Sequence, residues 1–209
     1  MLSKINSFHL DILKEIGNIG AGHAATALSA LLNRSVDMKV PSANIMPLHE
    51  ITQLFGGEEA LIAAVFFRIE GDAPGSMFFV LTVDQASKLL TEITGNPVDF
   101  EQPPYDELAM SAFQEIGNIL AGSYLSSLAD FTKLNLQPTV PAVGIDMAGA
   151  LIHYGLIEIS KESDYAVVID TVFLGSDSLS SLLKGQVLLL PDPDSFRTIF
   201  SALGVPMNE

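Results

Sequence analysis

A carboxylate and an amide three residues apart, Glu15 and Asn18, recur one hundred residues further on as Glu115 and Asn118. On a helix turning about 100° per residue, Asp11, Glu15, Asn18 and Gly22 fall within about 60° of one another. In the second copy the same stripe reads Ser111, Glu115, Asn118 and Gly122. Each stripe offers an anion that can pair with a cation, and an amide that both donates and accepts hydrogen bonds. Cysteine is absent, which excludes disulfides, thiolate metal sites and cysteine nucleophiles. The four histidines (His9, His23, His49, His153) are scattered without a pair at ligand spacing, so no metal site of the chain's own is expected.

A helix built only for stability would not carry these residues. Asparagine competes for backbone hydrogen bonds, and Gly17, Gly20 and Gly22 each cost about 1 kcal/mol against alanine in a helix interior. One explanation is that the glycines allow close helix-to-sheet packing and the Glu/Asn pair is ordinary surface. The other is that the stripe is a site. Recurrence of Gly17/Gly117 and Gly22/Gly122 beside Glu and Asn favours the second. Gly22 and Gly122, next to the polar pair, would let another molecule approach; Gly20 becomes Leu120 and reads as packing.

The positioning elements also repeat. Seven of the eight positions from 15 to 22 are identical to 115–122, and Pro41 and Pro141 both follow Asn after 22 intervening residues. A later block, 75–95, recurs as 185–204. Each unit predicts a long helix (about 7–33 and 106–133) and an extended segment opened by Pro41 or Pro141. Two strands follow, about 60–69 and 75–83, then 165–174 and 185–190. A closing helix then stops at Gly95 or Gly204. The helix periodicity assigns Leu10, Leu13, Ile16, Ala24, Ala27 and Leu31 to the buried side of the first copy. Phe113, Ile116, Leu120, Tyr124, Leu128 and Phe131 take that side in the second.

Strand-turn-strand pairs imply antiparallel pairing. The expected fold is α+β and internally duplicated. A shared, largely antiparallel sheet with pseudo-two-fold symmetry is flanked by the two long motif-bearing helices. One domain over 1–209 is expected, made of repeats at about 1–102 and 103–209 joined near 101–105.

Several functions are disfavoured by composition and pattern. A net charge of −15 repels polyphosphates and anionic lipid, so neither nucleic-acid binding nor membrane docking is expected. The acidity reads either as a solvated surface or as one face that docks a basic partner. The mean hydropathy of +0.38 reflects core material, because no apolar run approaches the ~18 residues of a membrane span. The early charges Asp11, Lys14 and Glu15 argue against a secretory signal, so a soluble cytoplasmic protein is expected. Residues 20–25, GAGHAA, match a dinucleotide fingerprint, but what precedes them is helical rather than a strand, and the second copy breaks the match. Neither G-x-S-x-G nor a P-loop occurs.

The pattern [Asp/Ser]-x-x-x-Glu-x-x-Asn-x22-Pro resembles that of the CheC/CheX/FliY phosphatases of bacterial chemotaxis. It is complete twice, as Asp11, Glu15, Asn18, Pro41 and as Ser111, Glu115, Asn118, Pro141. Two intact copies resemble the CheC branch more than CheX. The resemblance implies hydrolysis of the aspartyl phosphate on a CheY-type response regulator. It implies that Asn18 and Asn118 position the attacking water, and that Glu15 and Glu115 pair with a lysine of the partner. The magnesium would be supplied by the phosphorylated partner, with no cofactor of the chain's own. Asp11 and Ser111 would orient or cap local structure, and Pro41 and Pro141 would set the strand entry. Relatives also bind the deamidase CheD. A helix over 145–157 carrying Asp146 is the expected contact, and an Asp146 substitution that leaves CheD binding unchanged counts against it. Two rival readings are a non-catalytic adaptor or flagellar-switch-like module, which needs no Asn at 18 and 118, and a small-molecule-binding domain.

Overall fold

The apolar runs at 61–67 and 77–81 are too continuous for strands with one wet face. In the computed structural model, which describes residues 7–157, 165–175 and 183–204, they belong to strands covered on both faces. The outermost residues of the two repeats, 1–6 and 205–209, lie outside the described part.

The chain runs α1 (Ser7–Leu32), β1 (Val36–Lys39), β2 (Ala43–Pro47), a 3-10 helix (Leu48–Phe55), β3 (Leu61–Gly71), β4 (Gly75–Thr82) and α2 (Val83–Thr94). The second half repeats the order: α3 (Glu107–Thr132), β5 (Leu136–Pro138), β6 (Ala142–Met147), α4 (Ala148–Ile157), β7 (Tyr165–Gly175), β8 (Leu183–Pro191) and α5 (Pro193–Ala202). All eight strands join one antiparallel sheet in the order β1-β7-β8-β4-β3-β5, with β2 also on β7 and β6 also on β3. Exchanging each strand with its counterpart in the other repeat reverses this order and leaves it otherwise unchanged. The pseudo-two-fold axis therefore passes between β4 and β8, where Phe78 lies opposite Leu188.

The edges are exchanged between repeats. β1 and β2 of the first half pair with β7 of the second, and β5 and β6 of the second pair with β3 of the first. An ion pair crosses the same boundary. Arg68 on β3 donates from Nη1 and Nη2 to the Asp192 carboxylate at 3.0 and 2.5 Å, and from Nη1 to Ser76 Oγ at 3.2 Å.

One face of the sheet carries the long helices. Leu13, Ile16, Phe113, Ile116 and Leu128 pack with Val65, Phe67, Phe79 and Val187. The other face is covered by the 3-10 helix and α4, through Ile51, Phe55, Ala148 and Ile152 against Ile62, Phe78, Val168 and Leu188. The long helices also touch each other. A Cβ on Gly20 would sit 3.0 Å from Tyr124 Cα, so a side chain there would push the helices apart by a few tenths of an ångström. Burial pushes the Tyr124 phenol up to about 12, against a lowering hydrogen bond with Thr171 Oγ1 at 3.1 Å.

Two expectations change and one is extended. Pro41 and Pro141 stand ahead of extended segments as expected, β2 and β6, but a short strand, β1 or β5, also precedes each proline, which separates the two because it has no N–H to give the ladder. Residues 145–157 are not one helix, since Ile145, Asp146 and Met147 complete β6, opposite Ala63, Ile62 and Leu61. Leu31 and Phe131, expected in the core, are 55% and 49% exposed, and Ala27 is exposed as well.

Candidate functional site

Position along α1 and α3 fixes which motif side chains reach solvent. Gly17 and Gly117 face the sheet: a Cβ at 17 would touch Val40 Cγ1 at 3.4 Å, and one at 117 would meet three Val65 atoms at 2.7 Å. The helices therefore lie close on the strands at these glycines, and the adjoining stripe turns outward. Asp11, Glu15, Ser111, Glu115 and Asn118 are exposed, and Asn18 is half-buried. Gly22 and Gly122 border open space, with nothing within 4 Å of where a Cβ would stand. The structure thus brings Glu, Asn and a bare stretch of backbone together on each helix.

The two copies differ at the asparagine. Asn18 Oδ1 accepts a hydrogen bond from the Val40 N–H at 3.0 Å, and Val40 is only 2% exposed. Val40 is the residue before Pro41, so in the first copy the motif spacing sets the amide against the backbone just ahead of the proline. In the second copy Val140 is turned out, 86% exposed, and the Asn118 amide has no hydrogen-bond partner among the described residues. Thr139 is held instead to β3, its N–H donating to the Arg68 carbonyl at 2.8 Å and its Oγ1 accepting from the Arg68 N–H at 3.0 Å. Sequence reasoning missed the role of Val40. The distance from Asn to Pro does not signal it, because the second copy keeps that distance and Val140 makes no such tie.

Neither Glu15 nor Glu115 has an ion pair or hydrogen bond among the described residues, so both carboxylates are available. Asp11 and Ser111 cap nothing. They sit in the second turn of their helices, and the N-cap of α3 is Asp106, whose Oδ1 accepts from the Ala109 N–H at 2.8 Å. His23, on α1 beside Gly22, lies 3.4 Å from Ser127 Oγ of α3 and stitches the two helices together. Asp146 is exposed on β6, opposite Ile62 of β3, with its Oδ1 accepting from the Met147 N–H at 2.7 Å. Among the described residues no group of three or more His, Asp or Glu side chains could hold a metal ion, and no helix is long and apolar enough to cross a membrane.

The chain resembles known proteins. The model of the CheC-like family matches residues 8–45 and 108–145, each a motif helix with its proline segment. Over 204 residues the chain is 47% identical to the CheY-P phosphatase CheC of Bacillus subtilis (strain 168), covering 97% of both chains. It is 31% identical over 139 residues to the flagellar motor switch phosphatase FliY of the same organism, covering 66% of this chain and 36% of FliY. The crystal structure of Thermotoga maritima FliY superposes with a TM-score of 0.74 at 20% identity, over 96% of this chain and 98% of that one. The FliM middle domain of H. pylori has a TM-score of 0.65 at 11% identity, over 95% and 99%, a likeness of fold alone. With near-full-length identity at this level and the motif intact in both halves, the chain belongs to the CheC-like family.

Proposed function

We propose that this chain is a phosphatase that hydrolyses the aspartyl phosphate of a CheY-type response regulator, with one site on α1 and one on α3. The observation that carries the reading is the unpaired Glu115 beside the free Asn118 amide and the open backbone at Gly122, in a chain 47% identical to a CheY-P phosphatase. An acyl phosphate is already activated, and its loose transition state calls mainly for an in-line, oriented water. The amide holds that water by accepting one of its protons and donating to a neighbouring oxygen. Water oxygen bonds to phosphorus as the bond to the aspartyl oxygen breaks. The aspartate leaves as carboxylate, and inorganic phosphate is released. Glu15 and Glu115 pair with a lysine of the regulator and fix the helix over the phosphoryl group. The magnesium of the reaction is the regulator's own. A non-catalytic module of this fold would need no amide at 18 and 118.

The test is phosphate release from a phosphorylated CheY-type regulator with magnesium present. Wild type accelerates it, and the Asn18→Ala/Asn118→Ala variant does not while still binding the regulator. If wild type binds without accelerating release, the chain is an adaptor. CheD is the second proposed partner, through the exposed surface around Asp146.

The open glycines give a second expectation. Gly22→Ala and Gly122→Ala each remove a helix-interior glycine with room for the methyl group, and so add about 0.5–1 kcal/mol of stability. The same methyl stands where the regulator must approach, so phosphatase kcat/KM falls by about ten-fold when both are changed. A variant that melts higher and turns over at the wild-type rate would show that nothing approaches the helix there.

A further inference from the structure

Among the described residues, two exposed large apolar side chains occupy the same position in the two repeats and share the outward stripe of the motif. They are Phe8, 58% exposed, and Leu108, 63% exposed. Counting about 100° per residue, Phe8 lies within about 20° of Glu15 and 40° of Gly22, and Leu108 stands in the same relation to Glu115 and Gly122. Seven residues separate each apolar side chain from its glutamate, two helical turns or about 10 Å along the axis. The stripe is therefore longer than the Glu/Asn pair, with an apolar end one turn before Asp11 or Ser111. The residue types differ between the copies, but the apolar character and the exposure do not.

We infer that Phe8 and Leu108 are docking residues for the phosphorylated regulator, each seated against an apolar patch beside the regulator's active site. The inference rests on the proposed function, because the occupant of the apolar end is the molecule that occupies the rest of the stripe. Duplication supports that choice: two sites receiving the same partner need the same anchor twice. An exposed charge pair contributes little affinity by itself, whereas a buried aromatic or aliphatic anchor supplies most of the affinity in many interfaces. A carboxylate that pairs with lysine and an amide that holds water leave the affinity to something else, and Phe8 and Leu108 are placed to provide it. A lipid surface is disfavoured as occupant by the net charge of −15.

The experiment isolates one site at a time. In full-length protein with the first site silenced by Glu15→Gln/Asn18→Ala, Leu108→Ser raises KM for the phosphorylated regulator about ten-fold with kcat unchanged, and Leu108→Phe restores KM. Phe8→Ser behaves alike when Glu115→Gln/Asn118→Ala silences the second site. Both serine variants keep the parental melting temperature, since the side chains are exposed. An unchanged KM overturns the inference, as does a serine variant that loses a dimer in sedimentation while keeping its KM, which would assign the patch to a second copy of the chain. A fall in melting temperature with Leu108→Ser would make the residue structural instead. Direct binding to the regulator separates the two layers of the argument. If wild type binds without hydrolysing, the phosphatase reading fails, and the ten-fold loss of affinity in the serine variants still decides docking.

Discussion

Replacing Asn118 by alanine is expected to cut the phosphatase rate about ten-fold and leave the melting temperature unchanged or about 1–2 °C higher, while Asn18→Ala barely changes the rate and lowers the melting temperature. The argument starts from one hydrogen bond. Asn18 Oδ1 is committed to the Val40 N–H at 3.0 Å, and that N–H lies in backbone covered by the packed Val40 side chain. Held by Val40, the Asn18 oxygen keeps its second lone pair for a water only in the direction this bond fixes; turning the amide to an in-line water lengthens the bond, and a donor left unpaired there costs about 1–3 kcal/mol. That corresponds to a factor of about 5 to 150 in rate at the first site. Asn118 pays no such cost, because its amide is exposed and unpartnered among the described residues. Most of the turnover then belongs to the second site, and Asn18→Ala lowers the total less than two-fold.

The stability readout follows from the same bond. Asn18→Ala orphans the Val40 N–H, and the loss outweighs the better helix propensity of alanine, a gain of about 0.5 kcal/mol. A net loss of about 1 kcal/mol lowers the melting temperature by about 2–4 °C in a chain of this size. Asn118→Ala breaks nothing and gains the propensity. The measurements are steady-state phosphate release and a thermal melt on each single variant. Equal loss of activity in the two, or an Asn18→Ala protein that melts like wild type, would mean the tie to Val40 neither restrains the amide nor supports the fold.

This asymmetry marks where the sequence stops being legible. The spacing from Asn to Pro is the same in both copies, so nothing in the pattern separates Asn18 from Asn118. The difference lies in whether the residue before the proline packs inward, as Val40 does, or turns out, as Val140 does. That choice is made by tertiary contacts, including the hold of β3 on Thr139. The repeat itself, the long helices and the β3–β4 and β7–β8 hairpins were legible, because each rests on local periodicity and turn residues. β1 and β5 were missed, since four and three residues are too few to show alternation. Leu31 and Phe131 obeyed helical periodicity and still ended outside. Periodicity gives the direction of a side chain along a helix, and says nothing about where the neighbour it would pack on ends. Glu15 and Glu115 were legible as available charges for the opposite reason, because exposure on the polar stripe asks for no tertiary partner.

Separating the halves is expected to destroy the fold completely, although each half carries a whole copy of the motif. Among the described residues, five of the seven strand pairings run between the halves, and β3–β4 and β7–β8 lie within one. Residues 1–102 alone would keep a single hairpin, and a hairpin with nothing else paired to it is marginal in water. β1 and β2 would lose β7, the strand they pair with. Gly20 would lose the Tyr124 backbone against which it lies, and Arg68 would lose Asp192, leaving a half-buried charge without its ion-pair partner. Residues 103–209 lose the matching contacts by the pseudo-two-fold symmetry. Each fragment is expected to lack a cooperative thermal transition and to show no phosphatase activity. Because the missing strands of one fragment are those carried by the other, mixing the two restores both properties, and circular dichroism with phosphate release reads the outcome. A fragment that melts cooperatively by itself and turns over regulator would show that the repeats are two domains with one motif each. Failure of the mixed fragments, after success of the intact chain, would place the requirement in the joint near 101–105 rather than in the exchanged strands.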